Sequence, residues 1–173
     1  LSNIGPKRLM KLINFLAKRD QHLKSVQIQF SLLAPDLGKQ YQVKKICDEN
    51  NIDFFAYSPL SFGILCIDPD KEENKEKSFI RNSLFENYKK PTYELRRCLK
   101  RIAHQRSVSQ AQVAINWCCY QGTIPLVGMR KKSQVIDVSN VFNWNLKKNE
   151  FKVLQEVSKK CLKKMPKNPF SSN

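Results

Sequence analysis

The sequence predicts an α/β fold in which parallel strands alternate with flanking helices. Helical and period-two hydrophobic patterns alternate along the chain, the signature of a parallel sheet covered by helices. The apolar run Ile52 to Tyr57 enters a polar loop stiffened by Pro59 and loosened by Gly63, as ligand sites open at the carboxyl ends of parallel strands. A chain of 173 residues, 41% of them apolar, has enough surface to bury a core.

Pro6 suits a first helical position, and Leu9, Leu12, Ile13, Leu16 and Ala17 recur at helical spacing among basic residues, predicting a helix over 6–19. Val26, Ile28, Phe30 and Leu32 alternate with Gln27, Gln29 and Ser31, which predicts a strand with both glutamines on one face. A helix follows over about 40–50 with Val43, Ile46 and Cys47 inward, and then the Tyr57 strand, apolar enough to be buried on both faces. From 66 to 91 the pattern lapses into a charged excursion, expected to be an exposed, mobile loop that is either disordered or a functional lid. A helix from Thr92 turns Leu95, Leu99 and Ile102 inward. A second begins after Ser109, with Gln112 completing a capping box, buries Val113, Ala114, Trp117 and Cys118, and stops at Gly122. Thr123 to Gly128 reads as a short buried strand. Ser133 is placed to cap a helix to about Ser139, and Asn149 a last helix with Phe151, Leu154, Val157 and Cys161 as its stripe. With a strand remnant at Leu1 to Asn3, about four strands each precede a helix. An eight-stranded barrel needs roughly 200 residues or more, so residues 1–173 would form a single partial domain, its second half. The absence of an initiating Met fits a piece of a longer polypeptide.

A net charge of +16 admits nucleic acid, an anionic membrane or an anionic small ligand. The lysines are dispersed, however, and the densest group, Lys159, Lys160, Lys163 and Lys164, lacks the interleaved aromatics that base stacking uses, which argues against nucleic acid. No run approaches the roughly 18 apolar residues that cross a bilayer, so a soluble chain is expected. The six cysteines lie in apolar or helical segments without a C-x-x-C pair, and read as reduced thiols of a reducing compartment, cytoplasmic or of plastid type. No metal-ligand spacing, P-loop or G-x-G-x-x-G occurs, and His22 and His104 read as surface residues.

On residue chemistry alone, the strand ends offer amides and hydroxyls at Asn3, Gln27, Ser31 and Ser58, an aromatic at Tyr57, and Arg130 ahead of a helix amino end. Such a set fits a flat polar ring joined to phosphate: Tyr57 for stacking, loop amides from Ser58 to Gly63 for a pyrophosphate, Arg130 for a phosphate monoester. No nucleophile and base constellation can be read out.

Four ordered landmarks then carry a resemblance: Ser2-Asn3 with Val26-Gln27-Ile28-Gln29-Phe30-Ser31-Leu32-Leu33; Ala56-Tyr57-Ser58-Pro59-Leu60; Ala114-Ile115-Asn116-Trp117; and Thr123-Ile124-Pro125-Leu126-Val127-Gly128-Met129-Arg130. Their order and spacing resemble those of aldo/keto reductases across nearly the whole chain, most of all the plant chloroplast type. The resemblance implies the C-terminal half of a (β/α)8 TIM barrel and NADPH-dependent reduction of a small-molecule carbonyl substrate. By the same resemblance Ser2, Asn3 and Gln27 would bind the nicotinamide carboxamide and Tyr57 would stack beneath the ring. Ser58, Pro59, Leu60, Ser61, Gly63 and Leu65 would line the pyrophosphate, and Gly128, Met129, Arg130, Gln134 and Asp137 would surround the adenosine 2′-phosphate. Two residues depart from the family pattern: Val138 stands where asparagine is frequent, and Ser61 where glycine is common. The family's catalytic Asp, Tyr, Lys and His fall upstream of Leu1, so the missing N-terminal half of the barrel is the expected partner and residues 1–173 alone are expected to be inactive. A non-catalytic regulatory or binding protein built on the same fold is the alternative.

Overall fold

The structure, a computed structural model, describes residues 1–34, 36–71 and 85–168. Three parallel strands, β1 (Ser25–Gln29), β2 (Asp53–Tyr57) and β3 (Ile124–Leu126), form one sheet in the order β1-β2-β3. The expected remnant at the amino end lies along the other edge of β1. Ser2 bridges Gln27 in parallel, the Gln27 N–H donates to the Leu1 carbonyl at 2.7 Å, and the Asn3 N–H donates to the Gln27 carbonyl at 3.0 Å. Among the described residues the strands are accompanied by helices α1 (Pro6–Ala17), α2 (Leu37–Glu49), α3 (Tyr93–Arg106), α4 (Gln110–Cys119), α5 (Lys132–Ser139) and α6 (Lys148–Lys160), and by a shorter helical stretch at 85–89.

Strand register sorts the sheet into two faces. Val26, Ile28, Phe54 and Ala56 point to the helices and are buried, whereas Gln27, Phe55 and Ile124 share one row of the opposite face and Gln29, Tyr57 and Leu126 the next. The core lies under the helical face, around Phe30, which stacks on Trp117 at 5.4 Å and meets Tyr41 and Phe54 edge-on at 5.8 and 5.4 Å. This corrects two expectations. β2 is buried on one face only, and β3 is not a buried strand, since Ile124 and Leu126 are 43% and 39% exposed. The inward face of a barrel strand is covered by strands across the barrel axis, and among the described residues no strand lies opposite.

The helix starts show how caps compete. Ser109 Oγ accepts the Gln112 N–H at 3.1 Å as expected, but the Gln112 side chain leaves the capping box: its Nε2 donates to Asp137 and its Oε1 accepts from Trp144 Nε1. Ser133 and Asn149 each sit one residue inside their helices rather than capping them. There the reach-back comes from Gln134, whose Oε1 accepts the Arg130 and Lys131 N–H groups at 2.8 and 3.1 Å, and from Glu150, which accepts the Lys147 N–H at 2.7 Å. A side chain at the third helical position returning to the cap amide satisfies that one N–H, the half of a capping box that needs no serine or asparagine cap. Of the excursion at 66–91, residues 72–84 lie outside the described residues. At its far end, 85–89 is helical and puts Phe85 and Tyr88 in the core, each 5% exposed, a departure from an exposed loop.

Candidate functional site

Tyr57 is the last residue of β2, so its side chain stands half-buried at the carboxyl tip of the sheet, on the inward face. Its hydroxyl donates to Asn3 Oδ1 at 2.7 Å and accepts from Asn168 Nδ2 at 2.8 Å. Ser2 and Gln27 meet through their bridge, and a shallow depression of about 460 Å³ on this face is lined by Leu1, Ser2, Ser25, Gln27, Phe55 and Leu126. The fold therefore brings Ser2, Asn3, Gln27 and Tyr57 to one surface, where amides and an aromatic face can recognise a planar polar ring.

Beyond Tyr57 the backbone turns sharply. Ser58, Ser61 and Phe62 have positive φ of 53°, 50° and 58°, followed by Gly63 at 95°. Each non-glycine residue there costs on the order of 1–2 kcal/mol, and glycine is required only at Gly63, whose φ lies beyond the usual left-handed region. The turn closes through Ser61 N–H to the Ser58 carbonyl at 3.0 Å and Gly63 N–H to the Leu60 carbonyl at 2.9 Å. Pro59, Ser61 and Leu65 are buried, Ser58, Leu60 and Gly63 partly exposed. Ser61 Oγ hydrogen-bonds Ser31 Oγ at 3.0 Å inside the protein, so what Ser61 and Leu65 can offer a ligand is backbone. Two residues absent from the sequence reading hold this loop. Gln110 Nε2 donates to the carbonyls of Leu65 and Ile67 at 3.2 and 3.3 Å, and the buried Arg96 guanidinium donates to the carbonyls of Ile67 and Lys89 at 3.4 and 2.7 Å. Both lie in helices whose apolar stripes drew the inward assignment, and nothing in the periodicity marks them.

After β3 the chain emerges at the same end as Tyr57, because β2 and β3 are parallel neighbours. Gly128, Met129 and Arg130 are exposed ahead of α5, and Gln134, also exposed, commits its Oε1 to capping the helix. Asp137 is turned away as well: Oδ2 accepts from Ser109 Oγ at 2.6 Å and Oδ1 from Gln112 Nε2 at 2.7 Å. Its carboxylate bolts α5 to the start of α4. Arg130 is an exposed cation on this segment, with Lys131 and Lys132 exposed beside it.

The six cysteines are free thiols, and Cys47, Cys98 and Cys118 are buried; burial pushes Cys47 up to about 11 and Cys118 higher still, while Cys66 is exposed. The lysine cluster at 159–164 is not a uniform exposed patch, since Lys159 pairs with Glu156 and Lys164 is half-buried against carbonyls. Among the described residues no group of three or more His, Cys, Asp or Glu could hold a metal ion, and no helix is long and apolar enough to cross a membrane.

Comparisons with known proteins converge on one family and fold. A model of the aldo/keto reductase family matches residues 1–159. The chain is 36% identical, over 99% of its length, to the chloroplastic pyridoxal reductase of Arabidopsis thaliana, covering 46% of that protein. It is 24% identical over 159 residues to the (1S)-1,7-diacetoxy-luvungin A aldo-keto reductase of Citrus sinensis, covering 89% of this chain and 43% of that one. The chain thus spans about half the length of the curated relatives it matches. Among solved structures, a glycerol dehydrogenase of Gluconobacter oxydans superposes with a TM-score of 0.70 at 22% identity, covering 99% of this chain and 51% of that one. A thermostable aldo-keto reductase in complex with the inhibitor epalrestat superposes at 0.66 and 15% identity, covering 90% and 46%. The fold is that of about half a (β/α)8 barrel.

Proposed function

Because the chain belongs to the aldo/keto reductase family, we propose that it supplies the cofactor-binding half of an NADPH-dependent oxidoreductase that reduces aldehydes or ketones to alcohols. The observation that carries this reading is the surface where Asn3 and the Tyr57 ring meet, at the same end of the sheet as exposed Arg130. NADPH supplies the hydride when bound. Tyr57 offers a flat face to the nicotinamide, with Ser2, Asn3 and Gln27 as donors and acceptors for its carboxamide. The backbone from Ser58 to Leu65 follows the pyrophosphate, its shape held by Gln110 and Arg96. Arg130, with Gly128 and Met129, takes the 2′-phosphate and favours NADPH over NADH. Gln134 and Asp137 act by shaping and anchoring α5.

The proton-transfer groups are proposed to lie in the half of the barrel that the relatives possess and this chain does not span, which is its partner. That half would also cover Ile124, Leu126 and Phe55. The identity to a pyridoxal reductase makes an aldehyde of that kind the first substrate to try, and the free thiols suit a reducing compartment, cytosolic or plastid.

Titration of the native-length protein with NADPH and NADH tests the reading. Arg130→Ala is expected to weaken NADPH by roughly tenfold to a hundredfold, the loss of a charge-assisted contact, and to leave NADH nearly unchanged. Equal affinities of parent and variant for NADPH would remove the phosphate site from this segment.

A further inference from the structure

The stretch after α6, residues 161–168, crosses the strand tips and ends on the Tyr57 hydroxyl. It is anchored along the way. The Cys161 thiol donates to the Pro91 carbonyl at 3.2 Å and the Tyr88 hydroxyl to the Lys164 carbonyl at 2.9 Å. Met165 is 2% exposed, and its N–H donates to the Leu33 carbonyl at 2.8 Å, just beyond β1. Lys164 Nζ donates to the Leu32 carbonyl at 3.3 Å and to the Ser158 hydroxyl at 3.2 Å. These contacts bring Asn168 to Tyr57 across 111 positions of sequence.

The bond pattern has a direction. A phenolic hydroxyl has one hydrogen, and that of Tyr57 goes to Asn3 Oδ1; the Asn168 amide donates to the Tyr57 hydroxyl oxygen from the other side. The chain Asn168 to Tyr57 to Asn3 is therefore one-way, and each bond polarises the next. Held on both sides of its hydroxyl, the ring has less freedom to change its tilt, and tilt governs how well a ring stacks.

We infer that Asn168 is a positioning residue, which fixes the Tyr57 ring and, through it, the Asn3 amide in the orientation that receives a planar, amide-bearing ring. The inference rests on the cofactor reading above and adds the 161–168 stretch to the determinants of cofactor affinity.

A double-mutant cycle tests it in the native-length protein, with NADPH affinity read by nicotinamide fluorescence and stability by the unfolding midpoint. Asn168→Ala is expected to weaken NADPH about threefold to tenfold, the scale of one hydrogen bond, at an unchanged midpoint. In a Tyr57→Phe background, which lacks the hydroxyl, the same change is expected to shift affinity by less than about twofold. Asn168→Asp keeps the size and replaces the donor with an acceptor, so it should weaken NADPH at least as much as alanine. Additive effects of Asn168→Ala and Tyr57→Phe, or a lowered midpoint with unchanged affinity, would mark a merely structural contact and overturn the inference. Parent protein that binds NADPH while Asn168→Ala binds it equally well overturns this inference alone; parent protein without NADPH affinity overturns the cofactor reading and this inference together.

Discussion

Arg106 and Glu150 form a two-point ion pair between the end of α3 and the start of α6, Nε to Oε1 at 2.9 Å and NH2 to Oε2 at 2.8 Å. Burial would raise the Glu150 carboxyl, but the guanidinium and the Lys147 N–H outweigh it and hold the group below the usual glutamate range. A carboxylate depressed in the folded state contributes stability that is complete above its unfolded value and is lost as pH falls through the folded one. Glu150→Gln is therefore expected to destabilise by about 1–2 kcal/mol at neutral pH. The gap from the parent should close as pH falls below about 4, the ordinary glutamate range. Denaturant melts at pH 7 and pH 3 would check this, and an undiminished gap at pH 3 would count against it. At this scale the residue types in the sequence marked Tyr57 and Arg130 as candidates, but they did not foretell the partners of a polar side chain that had several within reach. Gln112 and Asp137 are such cases: their partners lie 25 to 32 positions away, and only packing decides among them.

Element by element, the helices and strands follow from hydrophobic period, and their ends from local stereochemistry. Gly122 ends α4 at φ 68° and launches the chain toward β3. A β-carbon there would meet Lys44 Nζ at 3.5 Å, an ordinary contact, so the cost of a substitution is conformational rather than steric. Gly122→Ala is expected to cost about 1 kcal/mol, a drop of roughly 2–4 °C in melting midpoint for a chain of this size. An unchanged midpoint would show that the turn relaxes. The loop after β2 is the converse case. Its left-handed run includes Ser61 and Phe62, which pay for a conformation that glycine adopts freely, and the hydrogen bonds from Gln110 and Arg96 hold the segment that follows.

For the whole molecule, the sheet has one finished face and one unfinished. Helices bury Val26, Ile28, Phe54 and Ala56, while Phe55, Ile124 and Leu126 look toward a barrel axis with no described strand opposite. On the proposed division of labour, the cofactor surface belongs to this chain and the proton donor to the other half of the barrel. Residues 1–173 purified alone are then expected to give no NADPH-dependent loss of an aldehyde; turnover by this stretch would place the proton donor within it.

Periodicity and turn residues in the sequence determined the alternation of strand and helix and the parallel arrangement, because each depends on neighbours a few positions apart, and the family followed from the resemblance of motifs kept in order. The tertiary structure decided which face of each strand is covered, that Asp137 bolts two helices together, and that Asn168 reaches Tyr57. Those outcomes depend on contacts between distant residues, and a sequence pattern carries no record of which of several polar partners lies close enough to bond.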